Sequence, residues 1–311
     1  MDGTVASIHD ATMTRRGLLL FSALGLIWGV PFLFIKIAVT ELSPEMLVLA
    51  RCATAAALLM PLAVRRRAIL PVLRSWKPLL AFTIVEIVLP WYCVGAAEIK
   101  LPSSTAGLLL SAVPLVAVGI SPAFGHRHRI SAVNAIGIAF GMAGVAVIVG
   151  FDRGASDLPS IAQLAVVVVG YALGPAILAR WMSDLPGVGV IAGALAASTL
   201  IYLPIVLLTG SWQTNLPSAP VIGSVLVLGV LCTAIAFLLM FALIAEIGPI
   251  RMTAITYVNP AVAIVAGSVV LGEPISRWTI AGFILILLGC FLVTRPQRQK
   301  MIRSDAARVA Q

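Results

Sequence analysis

Residues 104–148 read STAGLLLSAVPLVAVGISPAFGHRHRISAVNAIGIAFGMAGVAVI, and residues 251–293 read RMTAITYVNPAVAIVAGSVVLGEPISRWTIAGFILILLGCFLV. Each is an apolar run with a central proline, Pro114 or Pro260. Each then has a short polar turn with an Ile-Ser pair, Ile130-Ser131 or Ile275-Ser276. A second apolar run follows with glycines seven apart, Gly137 and Gly144 against Gly282 and Gly289. The matching residues lie 145 or 146 positions apart, so one small gap registers the copies. The chain reads as an internal duplication, and a repeat constrains the fold before any local feature does.

Composition says what surrounds the duplicated unit. Hydrophobic residues make up 60% of the 311 and charged residues 11%, against about 25% charged in soluble domains. Mean hydropathy is +1.08. The net charge of +9 does not indicate nucleic acid, because most Lys and Arg sit in short turns between apolar runs, as in membrane proteins. Cys52, Cys93, Cys232 and Cys290 all fall inside apolar runs with no CxxC spacing, and read as small buried residues. The first apolar run, near Gly17, is too long for a signal-peptide core and reads as a retained span.

About 20 apolar residues cross the hydrocarbon core as a helix. The sequence predicts ten such spans, at 17–38, 45–64, 78–98, 103–124, 131–150, 159–180, 187–209, 219–244, 250–271 and 277–294. Five spans per half is an odd number, so the second half enters the membrane from the opposite side. The predicted fold is all-α and membrane-spanning, with two inverted five-helix repeats at 17–150 and 159–294. With the N-terminus in the cytoplasm, sixteen Lys and Arg fall on the inner side, and only Lys100, Arg153 and Arg277 fall outside. The bias favours both termini inside the plasma membrane, with polar tails at 1–16 and 295–311; the latter is basic and suits an anionic lipid surface.

These residues resemble the drug/metabolite transporter superfamily, and within it the EamA-type family of ten-helix carriers. The resemblance rests on Trp28-Gly29, Ser43-Pro44, Arg51, Tyr257, Asn259-Pro260 and Gly272-Glu273-Pro274-Ile275-Ser276, and covers residues 17–294. The first-half turn departs from the pattern: Gly125-His126-Arg127-His128-Arg129 lacks the acid, which makes a structural role the expectation for Glu273. The resemblance implies transport of small metabolites, often export of amino acids or related compounds.

Glu86 is the sharpest candidate for chemistry. It lies near the middle of the third span among Ile84, Val85, Ile87 and Val88, and the other acids fall at span ends, turns or tails. An intramembrane carboxylate is costly unless paired, hydrated or protonated, and marks function by default. It suits a substrate amine or a coupling proton; the plain alternative is a neutral Glu bonded to a neighbouring helix. Regular helical spacing puts Thr83, Glu86, Pro90, Cys93 and Ala97 on one face. Arg51 could attract a substrate carboxylate, although snorkelling or pairing with Glu41 or Glu45 is the stronger expectation. Lys36 and Arg180, at corresponding span ends, are expected to snorkel.

Prolines 31, 90, 114, 175, 204 and 260 lie within spans and free backbone carbonyls, which in lipid need a partner or a wet cavity. The faces Ser104, Gly107, Ser111, Pro114, Ser121 and Thr253, Thr256, Tyr257, Pro260, Gly267 are expected to line the centre, or else to pack closely through small residues. Asn259 would hold substrate or bond a freed carbonyl. Trp28, Trp91, Tyr92, Tyr171 and Tyr257 lie within spans and would stack on substrate or pack. His126 and His128 between arginines make a poor metal site, and no nucleotide-binding or hydrolase motif appears, so neither metal, cofactor nor enzymatic activity is expected.

The sequence thus predicts a secondary carrier for a small polar metabolite, working by alternating access about a midplane cavity. Its expected partners are that metabolite, the lipid bilayer and protons taken up through Glu86. An uncoupled facilitator, a membrane enzyme and a scaffold or sensor are the rivals; whether the carrier is a monomer or a homodimer stays open.

Overall fold

A computed structural model describes residues 14–120, 124, 132–152, 157–212, 215–248, 252 and 255–294. Residues 1–13 of the N-terminal tail, the whole 295–311 tail, the His126–His128 turn, Ser121 and Thr253 lie outside these, while Arg15 and Arg16, read as tail residues, open the first helix. Among the described residues ten apolar helices follow in order: α1 Arg15–Ala38, α2 Pro44–Arg65, α3 Trp76–Lys100, α4 Ser103–Ile120, α5 Ala132–Phe151, α6 Leu158–Trp181, α7 Gly187–Thr209, α8 Ala219–Ile247, α9 Ile255–Leu271 and α10 Arg277–Thr294. No strand occurs among the described residues, as expected where every backbone group must be satisfied within its own segment. One short helix the sequence did not suggest, Ile69–Arg74, folds the α2–α3 connection and buries Val72 and Ala68.

Helix starts follow ordinary capping chemistry. Ser43 accepts the Met46 N–H ahead of Pro44 at the first helical position, and Asp157 accepts the Ser160 N–H at the start of α6. Large side chains such as Leu200, Leu208 and Val269 point outward, which in a bilayer is the lipid-facing shell.

The relation between the halves is fixed by α5 and α10. A Cβ on Gly137 would lie 2.8 Å from the Gly289 carbonyl oxygen, and one on Gly289 would lie 2.5 Å from that of Gly137. Gly144 and Gly282 meet reciprocally at 2.7 and 2.9 Å. Along α5 the partner number falls as the residue number rises, so these repeat-related helices run antiparallel. The other matched pair does the same: Gly107 of α4 abuts Ala263 of α9, and Gly267 of α9 abuts Ser103 of α4. A same-way-up duplication would leave matched helices parallel. The repeats are therefore inverted.

The halves are not identical in detail. Pro31 follows a break in α1 at Val30, while its counterpart Pro175 sits in an unbroken α6. Near Pro114, α4 is interrupted at Ser111–Ala112, while α9 continues through Pro260. Prolines at equivalent sites thus occupy two backbone states. One deviation is shared: the third helix of each half contains a wide π-helical segment, Thr83–Val88 in α3 and Val227–Ile235 in α8.

Candidate functional site

The site is built from the π segment of α3. There the Leu89 N–H bonds the Ile84 carbonyl five residues back. A π turn inserts one residue into the helical register, so side chains beyond it shift face. That is why Trp91 lies inside and is buried, while Tyr92 turns outward and is 38% exposed. The widened backbone is held from outside by the Tyr202 hydroxyl of α7, which donates to the Val88 carbonyl at 2.7 Å, and from within α3 by Thr83, which donates to the Leu79 carbonyl at 2.8 Å.

Glu86 lies within this segment and packs against a glycine notch in α6. A Cβ on Gly174 would fall 1.9 Å from Glu86 Oε2, and one on Gly170 would fall 2.5 Å from the Val85 carbonyl oxygen. The Oε2 atom is buried with no hydrogen-bond partner among the described residues.

Arg51 of α2 neither snorkels nor pairs with Glu41 or Glu45, which corrects the sequence expectation. It is 9% exposed, its guanidinium lies over the Trp91 ring at 3.7 Å, and its Nε donates to Thr233 Oγ1 at 3.0 Å. The two acids are engaged elsewhere. Glu41 accepts the Ser218 N–H at 2.8 Å, and Glu45 accepts from the Ser211 hydroxyl at 2.5 Å. Thr233 belongs to the π segment of α8 and itself donates to the Leu228 carbonyl five residues back, at 2.7 Å. The matched π segments thus carry Glu86 on one side and the hydroxyl that orients Arg51 on the other. No carboxylate pairs with Arg51 among the described residues. A desolvated guanidinium on an aromatic face gains about 2 kcal/mol, less than the several kcal/mol that burying an unpaired ion costs. Tyr171 of α6 stands within electrostatic reach of both Arg51 and Glu86 and against the Trp91 indole.

The other predicted residues do not join this cluster. Trp28 packs edge-on to Phe237, ring centroids 6.2 Å apart, among Leu24, Leu239 and Met240. Ser111, at the break in α4, donates to the Leu108 carbonyl, and its own carbonyl receives the Cys290 thiol at 3.2 Å. Tyr257 hydrogen-bonds Thr294 at the end of α10. Asn259, with its amide nitrogen turned toward the carbonyls of Ile255 and Gly25, donates to both at 3.2 Å and ties α9 to α1. The faces of α4 and α9 meet through Gly107 and Gly267, the close-packing alternative. Lys36, expected to snorkel, donates instead to the carbonyls of Glu98, Ile99 and Leu101.

Comparison with known proteins agrees with this architecture. The model of the EamA-like transporter family matches residues 15–150 and again 158–295. The chain belongs to the EamA-like transporter family. Among its relatives, the Escherichia coli K12 "uncharacterized inner membrane transporter YedA" is 30% identical over 87% of this chain and 90% of its own. Bacillus subtilis YvbV, an "uncharacterized transporter", is 27% identical over 92% and 94%. The Streptantibioticus cattleyicolor "probable terminal-alkyne amino-acid exporter" is 28% identical over 68% of each chain. One crystal structure superposes with a TM-score of 0.65 over 91% of this chain and 98% of the other, at 21% identity; that likeness concerns the fold alone. This EamA-like chain is an integral, multi-pass membrane transporter.

Within the EamA frame, Thr233 is the site residue that the sequence did not single out; its only signal was a hydroxyl inside a span. Trp91 and Tyr171 are two of the in-span aromatics expected to stack on substrate or pack. What brings them together is the pair of π turns, which no residue pattern announces.

Proposed function

We propose that this transporter carries small zwitterionic metabolites, amino acids or close relatives, out of the cell by alternating access. Arg51 receives the substrate carboxylate, and Glu86 receives its amine or the coupling proton. The observation that carries the reading is a buried guanidinium with no carboxylate partner, standing with an unpartnered intramembrane carboxyl around Tyr171. A guanidinium with free terminal nitrogens suits bidentate binding of a carboxylate. A carboxyl in a water-poor site loads and unloads a proton or an ammonium according to its exposure. The S. cattleyicolor relative, named an amino-acid exporter, supports both substrate class and direction. The two backbone states of matched prolines suit repeats that exchange conformations. The Lys and Arg bias supports both termini in the cytoplasm.

The test is an amino-acid screen on proteoliposomes with and without a pH gradient. Uptake of one compound, faster with a gradient, is expected for the native chain. Glu86→Gln should abolish the gradient's effect. Equal rates at all gradients in the native chain would instead indicate an uncoupled facilitator. Unchanged transport in both Glu86→Gln and Arg51→Met would remove the proposed site.

A further inference from the structure

A second carboxyl, remote from the proposed substrate site, has no role so far. Glu98 lies in the last turn of α3. Its sequence position suggests a wet helix end, but the residue is 0% exposed and both carboxyl oxygens lack a hydrogen-bond partner. Ser103 beside it, at the start of α4, is equally buried, with its hydroxyl unpartnered. The α3–α4 turn places these groups at one end of the helical bundle, behind a pocket lined by Pro102, Ser104, Thr105 and Ser276 that forms its mouth.

Two charged groups face Glu98: Lys36 from α1 and Glu273 from the α9–α10 turn. Each is satisfied by a helix end. An ammonium has three donors, and Lys36 directs them to the last carbonyls of α3, at 2.5 Å to Glu98 O, 3.0 Å to Leu101 O and 3.5 Å to Ile99 O. Glu273 accepts the first N–H groups of α4, from Ser103 at 2.7 Å and Ser104 at 3.0 Å, as anions do at helix N-termini. Farther out, Lys100 is taken by Asp157 at 3.1 Å. Neither the cation nor the anion bonds the Glu98 carboxyl. Ionising Glu98 in place would bury an unpaired charge beside Glu273, which costs several kcal/mol.

We infer that Glu98 is a second proton-binding site, which holds its proton while the α3–α4 mouth is closed and releases it when that mouth opens to water. On opening, the proton leaves to solvent and the carboxylate pairs with Lys36, which gives up the α3 carbonyls. Lys36 and Glu98 belong to the first half and Glu273 to the second, so the switch spans the contact between repeats. High pH on this side of the membrane favours the open mouth, and low pH the closed one.

The experiment places a cysteine at the mouth, Ser104→Cys, and reads its reaction with a membrane-impermeant maleimide by peptide mass spectrometry. Labelling is expressed as a ratio to Thr40→Cys, an exposed position on the same side, which corrects for the reagent, and the same Ser104→Cys site with and without Glu98 corrects for its thiol's own ionisation. With Glu98 present, the ratio should rise several-fold between about pH 5 and about pH 9, a range spanning ordinary and raised carboxyl values. With Glu98→Gln, which mimics the protonated acid, it should stay low and flat. Infrared spectra at neutral pH should show a protonated-carboxyl C=O band that Glu98→Gln removes. Glu98→Leu gives the same comparison if the Gln variant does not fold. The inference is overturned if the ratio profile is the same with and without Glu98, or if no protonated-carboxyl band disappears. It is equally overturned if Glu86→Gln, rather than Glu98→Gln, flattens the profile.

Discussion

Gly137 and Gly289 touch backbone to backbone, each placed where the other's side chain would have to be. They are not repeat mates of one another: Gly137 corresponds to Gly282, and Gly289 to Gly144. A pseudo-twofold axis lying between α5 and α10 produces this crossed pairing, and it does so only if the halves are upside down relative to each other. The glycines therefore act as both packing surface and register mark. In lipid, where apolar burial does not drive association, close backbone approach supplies the attraction.

Side chains at that seam should be expelled at a cost. A Cβ on Gly144 would meet the Gly282 carbonyl and Ile286 Cγ1 at 2.7 Å and the Ile286 nitrogen at 2.9 Å, and the backbone atoms cannot rotate away. Gly144→Ala should lower stability by about 1–3 kcal/mol, the range for overpacking. Gly150→Ala in the same helix meets open space and should stabilise by up to about 1 kcal/mol through helix propensity. Thermal unfolding of both variants in detergent measures the contrast.

The notch under Glu86 separates stability from transport. A Cβ on Gly174 would collide with Glu86 Oε2 and approach Glu86 Cβ at 3.0 Å. Since the carboxyl is the far end of a flexible chain, Gly174→Ala should displace Glu86 at a stability cost under about 1 kcal/mol, the size of an off-rotamer side chain. Transport should nevertheless fall at least tenfold. Gly170→Ala, which meets the Val85 backbone oxygen at 2.5 Å, should destabilise instead. A Gly174→Ala variant with native transport rates would show that Glu86 needs no fixed position.

Much of this fold is written in the chain. The 145-residue echo, the odd number of spans per half and the glycine spacing specify inverted repeats, because each follows from counting or from local sterics. Glu86 was legible too, as a charge where none is cheap. What escaped depends on register and on tertiary partners. A π turn displaces every later side chain by one position, which separates buried Trp91 from exposed Tyr92, although both read alike as aromatics inside one span. Glu98 looks like a helix-end acid until α1, α4 and the α9–α10 turn close over it. Glu273, expected to be structural, caps α4 from the other half, a contact 170 residues away in sequence.

Acid should weaken the start of α6. Asp157 accepts the Ser160 hydroxyl at 2.6 Å and its N–H at 3.0 Å. These bonds, with a smaller contribution from Lys100, hold its carboxyl below the ordinary range. A depressed folded-state pKa means the stabilisation is fully present above the unfolded value of about 3.9. It is lost as pH falls through the lower, folded value. Asp157→Asn keeps a good cap residue but removes the titration. Its unfolding midpoint should therefore fall less steeply than that of the native chain as pH is lowered below about 4. Parallel slopes would mean the cap titrates as an ordinary surface acid.

Arg51 offers the clearest separation of a binding role from a structural one. Arg51→Lys keeps the positive charge but loses the Nε bond to Thr233 and the flat contact on Trp91. Those two interactions hold the fork that grips a carboxylate bidentately, which lysine cannot do, so the lysine variant should bind its amino acid at least about tenfold more weakly, about 1.4 kcal/mol, seen as a raised KM. Arg51→Met removes the charge and fills the space with an apolar chain. Replacing a buried ion in this way is often neutral or stabilising, so its Tm should hold or rise while transport is lost. A purely structural arginine predicts the opposite order, with the methionine variant unstable and any folded fraction still transporting. Thermal unfolding and transport, measured on the same reconstituted preparations of the two variants, decide between these outcomes.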